Sequence, residues 1–223
     1  MRRWAGALGI AVLALIGLAL LCWGSGEAAP PPDREVLYQV STIDALVEGE
    51  YGGLVSLREL SGRGDFGIGT FESLDGEMIV INGTCYQVKG DGRAHVADPA
   101  VGIPFAAVTF FDADIEIPVA EGSTYSEFTA SLDRNLPSKS VFYAIRMEGL
   151  FPAMVVRSVD AQQEPYPRLA DALEFQKVYE YGNISGSLVG LYSPQNVGGL
   201  NVPGYHLHFI SEDRRTGGHV LAF

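Results

Sequence analysis

Three of the four histidines in this sequence, His206, His208 and His219, fall within fourteen residues, and that clustering is where its chemistry could reside. His206 and His208 are two apart in Tyr205-His-Leu-His-Phe-Ile210. Residues two apart on a strand project from one face, so the two imidazoles would share a side. The stretch 211–218 is polar and ends in two glycines, as a hairpin loop would, and His219 begins a returning run. Three imidazoles on one sheet face would leave a further position open to water or substrate, the arrangement of a catalytic zinc site. The plainer alternative is a solvated His-x-His pair beside an unrelated third histidine. Leu207 and Phe209 would bury the opposite face, which favours the ordered reading. His95 has no partner at ligand spacing and reads as an ordinary loop or strand-end residue.

Two charged residues stand out against apolar surroundings. Glu77 opens the run Glu-Met-Ile-Val after Leu74-Asp-Gly. A carboxylate there is usually a solvated strand end, so position alone gives it a weak claim to function. Arg157 lies in Ala153-Met-Val-Val-Arg-Ser-Val159, where a cation is out of character. If buried, it needs an anion, either a protein carboxylate or a substrate, and burial does not choose between them. No organic-cofactor motif is present. The Gly67-x-Gly69 segment lacks the strand-then-helix context of a dinucleotide site.

The elements that must position these residues follow from alternation and turn signals. Strands are expected over 36–40, 67–71, 77–81, 84–89 and 106–111, with a short helix over 42–48 capped by Ser41 or Thr42. Asn82-Gly83 between two alternating runs predicts a hairpin turn, which also explains the Asn-Gly-Thr glycosylation pattern there. Thr124-Tyr-Ser-Glu127 fits a capping box for a helix to about Arg134. Strands at 141–147 and 153–159 flank an expected turn at 149–152, and helical spacing runs over 169–179. The chain would finish as strands at 187–192, 205–210 and 219–223. Two strand groups, each with a helix, predict an α+β protein of two sub-domains, residues 29–137 and 138–223.

The composition fits such a fold. Hydrophobic residues make up 47% and charged residues 19%, with 27 glycines and 12 prolines, so a packed, turn-rich core is expected rather than disorder. A net charge of −12 argues against nucleic acid, whose binding rests on Lys and Arg meeting phosphate. Arg2 and Arg3 precede an uncharged run over 4–26, the charged start and apolar centre of a secretory signal. Residues 1–28 are expected to be removed on export to the periplasm or outside, an uncleaved membrane anchor being the alternative. Leu21 before Cys22 argues against a lipid anchor. Cys85 is then the sole cysteine of the mature chain and reads as a small buried hydrophobe.

The motifs Gly69-Thr-Phe-Glu-Ser-Leu-Asp-Gly-Glu-Met-Ile-Val80, Gly204-Tyr-His-Leu-His-Phe-Ile210 and Gly217-Gly-His-Val-Leu221 together resemble the alpha-acetolactate decarboxylases. The resemblance implies a two-domain architecture with zinc in the cleft between domains, and conversion of (S)-2-acetolactate to (R)-acetoin and carbon dioxide. It implies His206, His208 and His219 as zinc ligands, Glu77 and Arg157 as active-site residues, and Thr70 as lining the substrate pocket. A homodimer is compatible with it. Family members continue past the Gly-Gly-His-Val-Leu motif into a tail with a second active-site glutamate. This sequence stops at Phe223, so a fragment of a longer protein is expected, with the run 219–223 left as an uncovered apolar edge. The alternatives are a zinc-binding but catalytically impaired homologue and a metal-dependent hydrolase with Glu77 as its base.

Overall fold

Short alternating runs punctuated by glycine and proline give the described residues, 33–223 of the computed structural model, twelve strands and four α-helices. The first half contains β1 (Tyr38–Val40), α1 (Ile43–Val47), β2 (Val55–Ser56), α2 (Leu57–Leu60) and β3 (Phe66–Thr70). It continues with β4 (Glu77–Ile81), β5 (Thr84–Val88), β6 (Ala94–Val96), β7 (Gly102–Ile103) and β8 (Phe105–Thr109). Six of these strands form one antiparallel sheet in the order β1-β8-β3-β4-β5-β6, and β2 pairs with β7 separately. Asn82 and Gly83 both adopt left-handed backbone, φ 50° and 74°, which makes the tight β4–β5 turn that their types predict. Thr42 caps α1, its hydroxyl accepting from the Ala45 amide at 3.2 Å.

The second half begins with α3 (Tyr125–Asn135), opened by the Thr124–Glu127 capping box. Then come β9 (Tyr143–Ser158), α4 (Leu169–Leu173), β10 (Lys177–Ser193), β11 (Gly204–Ser211) and β12 (Gly217–Ala222). These four strands close into a barrel, β10-β11-β12-β9, with every ladder antiparallel. The class is α+β, as expected.

Alternation assigns each strand's two faces to different cores. On β4, Ile79 and Ile81 meet Val189, Leu191 and Ile210 of the barrel, while Met78 and Val80 face the opposite side of the sheet with Leu57, Leu60 and buried Cys85. On β11, Leu207 and Phe209 pack with Phe128 and Leu132 of α3, so their neighbours His206 and His208 face the six-stranded sheet. The sequence reading anticipated that division.

Three local expectations are corrected. The turn at 149–152 does not form: β9 runs straight through, with Gly149 opposite Gly186 and Phe151 opposite Ile184. Its Pro152 lacks a donor and sits where the ladder skips a pair, near the left-handed Asn183. The helix expected over 169–179 ends at Leu173, because pairing with β9 draws Lys177 onward into β10 against its helical spacing. Finally, 219–223 is not an uncovered edge. β12 is hydrogen-bonded to β11 on one side and β9 on the other, and the Phe223 ring packs edge-on or tilted against Tyr125, Phe128 and Phe151. The leader expected over residues 1–28 lies outside the described residues, among which no helix is long and apolar enough to cross a membrane.

Candidate metal centre

One rung of cross-strand pairs organises the site. Val189 stands opposite His208, His208 opposite His219, His219 opposite Arg157 and Arg157 opposite Val178, a continuous row across the barrel strands. Directly paired residues share a face. His206 joins the row's face from two residues upstream on β11. A second row on the facing sheet sets Thr70 opposite Glu77 and Glu77 opposite Val88.

The three imidazoles offer ligand atoms that all lie within 4.8 Å of one another. His206 Nε2 is 3.1 Å from His219 Nδ1, and the ring centroids are separated by 4.8–5.3 Å. His208 is fully buried. Its Nδ1 donates to the Met78 carbonyl at 2.8 Å; a carbonyl can only accept, so Nδ1 carries the proton and Nε2 presents a bare lone pair. That Nε2 is buried and has no hydrogen-bond partner. Burial holds all three imidazoles neutral: His206, with Arg157 adding, falls to about 4, and His208 and His219, with His206 and then Arg157 adding, drop well below the usual range. Neutral imidazoles are what a divalent cation requires.

Glu77 completes the picture from the other sheet. Its Oε2 is 3.4 Å from His208 Nε2, and its Oε1 is 3.8 Å from Arg157 Nη1. Two lone-pair atoms facing each other in a buried site repel unless a proton or a cation lies between them. Burial pushes the Glu77 carboxyl up to about 7, against the pull of Arg157. The unsatisfied Nε2, the neutral triad and the facing carboxylate fit a metal ion held by His206, His208 and His219.

Thr70 is buried, and its hydroxyl donates to the Gly76 carbonyl at 2.7 Å, so it fixes the residue before Glu77. His95 lies on β6 opposite Gln87, away from the triad. A separate cavity of about 280 Å³, with Phe110, Ile115, Phe128 and Tyr143 among its lining, contains none of the site residues. The chemistry lies with the triad, where polar groups converge. Sequence reasoning missed the Met78 carbonyl as the partner that sets the His208 tautomer. A main-chain acceptor carries no residue-type signal.

Fold and site together define an α+β protein of an antiparallel sheet and a barrel, with a three-histidine, carboxylate-flanked centre able to hold a metal ion. A family model described as alpha-acetolactate decarboxylase matches residues 37–223, and the chain belongs to that family. An alpha-acetolactate decarboxylase of Methanosarcina mazei is 50% identical over 187 residues, 84% of this chain and 65% of the relative, so the chain spans about two-thirds of that protein's length. One from Methylococcus capsulatus is 45% identical, covering 86% of this chain and 73% of the relative. The crystal structure of alpha-acetolactate decarboxylase from Bacillus subtilis strain 168 superposes with a TM-score of 0.81 at 41% identity, covering 83% of this chain and 80% of that one.

Proposed function

We propose that this protein decarboxylates (S)-2-acetolactate to (R)-acetoin and carbon dioxide, with zinc held by His206, His208 and His219. The observation that carries the reading is the buried, unpartnered His208 Nε2 facing Glu77, in a chain of this family. Zinc at this centre would supply Lewis acidity that stabilises negative charge on oxygen, worth roughly several kcal/mol.

Arg157 and Glu77 would act beside it. Loss of carbon dioxide leaves an electron pair that must pass to the ketone oxygen, and a proton must then reach carbon from one side. Arg157, a fixed cation beside the triad, would orient the substrate anion. Gripping the carboxylate alone would favour the substrate over the transition state, so its better use is to stabilise charge developing on oxygen. Glu77 is the acid–base group at hand. Its carboxyl lies 3.4 Å from His208 Nε2 and 3.8 Å from Arg157, where it can hold and release a proton beside the triad. Its one-sided approach from β4 would place that proton on a single face of the carbon, as a single product enantiomer requires.

Export by the N-terminal leader belongs to the same reading and rests on Arg2, Arg3 and the apolar run over 4–26. The test is acetoin formation from racemic 2-acetolactate by zinc-loaded protein, with and without a chelator. Acetoin abolished by chelator and restored by zinc supports the proposal. Hydrolysis of ester substrates without acetoin would instead favour the hydrolase.

A further inference from the structure

The segment 71–76, which leads into Glu77, holds two consecutive non-glycine residues in left-handed backbone: Ser73 at φ 63° and Leu74 at φ 56°. Such conformations are strained for residues with a side chain and persist only where the surroundings over-determine them. Here they do. The Ser73 amide donates to the Tyr51 carbonyl at 2.9 Å, and the Ser73 carbonyl accepts from the Gln162 amide at 2.7 Å. The Ser73 hydroxyl lies 3.0 Å from the Tyr166 hydroxyl. Leu74 is buried among Tyr51, Phe105, Val159 and Ala172. Downstream, Gln87 donates to both the Asp75 carbonyl and its carboxylate, and Thr70 holds Gly76.

The partners of Ser73 are informative. Gln162 and Tyr166 lie on the connection that leaves β9 just after Arg157, whereas Ser73 lies four residues before Glu77. The fastening therefore joins the approach to Glu77 with the exit from Arg157, two groups on different sheets whose charged atoms stand 3.8 Å apart. A turn needing only to connect β3 to β4 would use glycine or asparagine at left-handed positions.

We propose that Ser73 is a positioning residue that sets the separation of Glu77 from Arg157 through its bonds to Gln162 and Tyr166. This rests on the decarboxylase reading for its kinetic consequence but not for its geometric one. A misplacement of about 1 Å in a reacting group can cost about 10²-fold in rate.

The test uses zinc-loaded protein with Ser73→Ala, Tyr166→Phe and Ser73→Asn. Asparagine tolerates left-handed backbone and can still meet Tyr166. Alanine and phenylalanine should each lower kcat about 10-fold to 10²-fold, with zinc content and melting temperature held near those of the parent, while asparagine keeps most of the rate. A purely structural role would lower melting temperature and rate together. Rates within about twofold of the parent for both Ser73→Ala and Tyr166→Phe overturn the proposal. Should the parent itself form no acetoin, the decarboxylase reading fails, and the crystal structure of Ser73→Ala then decides. A Glu77 carboxylate displaced from Arg157 sustains the positioning role, and one left in place overturns it.

Discussion

Glu77 Oε2 and His208 Nε2 face each other at 3.4 Å across the gap between the two sheets, and with Glu77 ionised no proton lies between them while His208 donates through Nδ1 to Met78. The contact is unfavourable in the metal-free protein. Binding of a cation by Nε2, or protonation of Glu77, relieves it.

This gives a pH dependence with a definite sign. The Glu77 carboxyl rises from an ordinary value of 4.5 to about 7 on folding, because burial disfavours its ionised form. The stability this contributes is fully present below pH 4.5 and is lost as pH rises through about 7. The shift corresponds to roughly 3 kcal/mol at about 1.4 kcal/mol per pH unit. Metal-free protein should therefore lose stability between pH 5 and pH 8, and Glu77→Gln, which cannot ionise, should flatten that slope. Urea unfolding at the two pH values checks this; an equal slope in the variant assigns the dependence to other groups.

His206 has the opposite sense. Its depressed value, about 4, means its stabilising contribution is present above pH 6.5 and lost as pH falls through 4. Metal-free protein with His206→Gln should accordingly resist acid better than the parent between pH 6 and pH 4, read by circular dichroism during acid titration.

Arg157→Lys keeps a positive charge but loses the planar fork that reaches Glu77 and an oxyanion together. Acetoin formation should fall by about 10²-fold, the scale for losing one oriented donor, while zinc content is unchanged. A nearly full rate would make Arg157 a structural partner of Glu77 alone.

Thr70→Val removes a buried donor without changing shape and leaves the Gly76 carbonyl unmatched. The cost should be about 1–3 kcal/mol in denaturant unfolding, together with slower turnover through a less firmly held Glu77. Gly76 itself admits no side chain: its φ is +85°, and a Cβ would fall 2.1 Å from the Val88 carbonyl oxygen.

The parts of this architecture legible in the sequence are those governed by local rules. Two-residue spacing put His206 and His208 on one face, Asn82-Gly83 gave the β4–β5 turn, and the Thr124–Glu127 pair opened α3. What escaped was decided by distant partners. The 149–152 turn failed because β10 offered β9 an unbroken ladder, and the apolar run 219–223 found β9 as a second neighbour, which no local pattern records. Arg157 was conspicuous as a cation among apolar residues, yet its pairing in register with His219 depends on barrel closure. Ser73 and Leu74 gave no signal, because neither residue type favours the backbone it adopts.

The central claim is that His206, His208 and His219 hold the metal on which acetoin formation depends, and its most direct test is the zinc content of His208→Ala. Parent protein should carry about one zinc per chain by elemental analysis, with His208→Ala losing most of it and forming no measurable acetoin. Half-buried His219→Ala guards against a folding defect at the fully buried position and should behave alike. Either variant, folded and carrying as much zinc as the parent, would contradict the account.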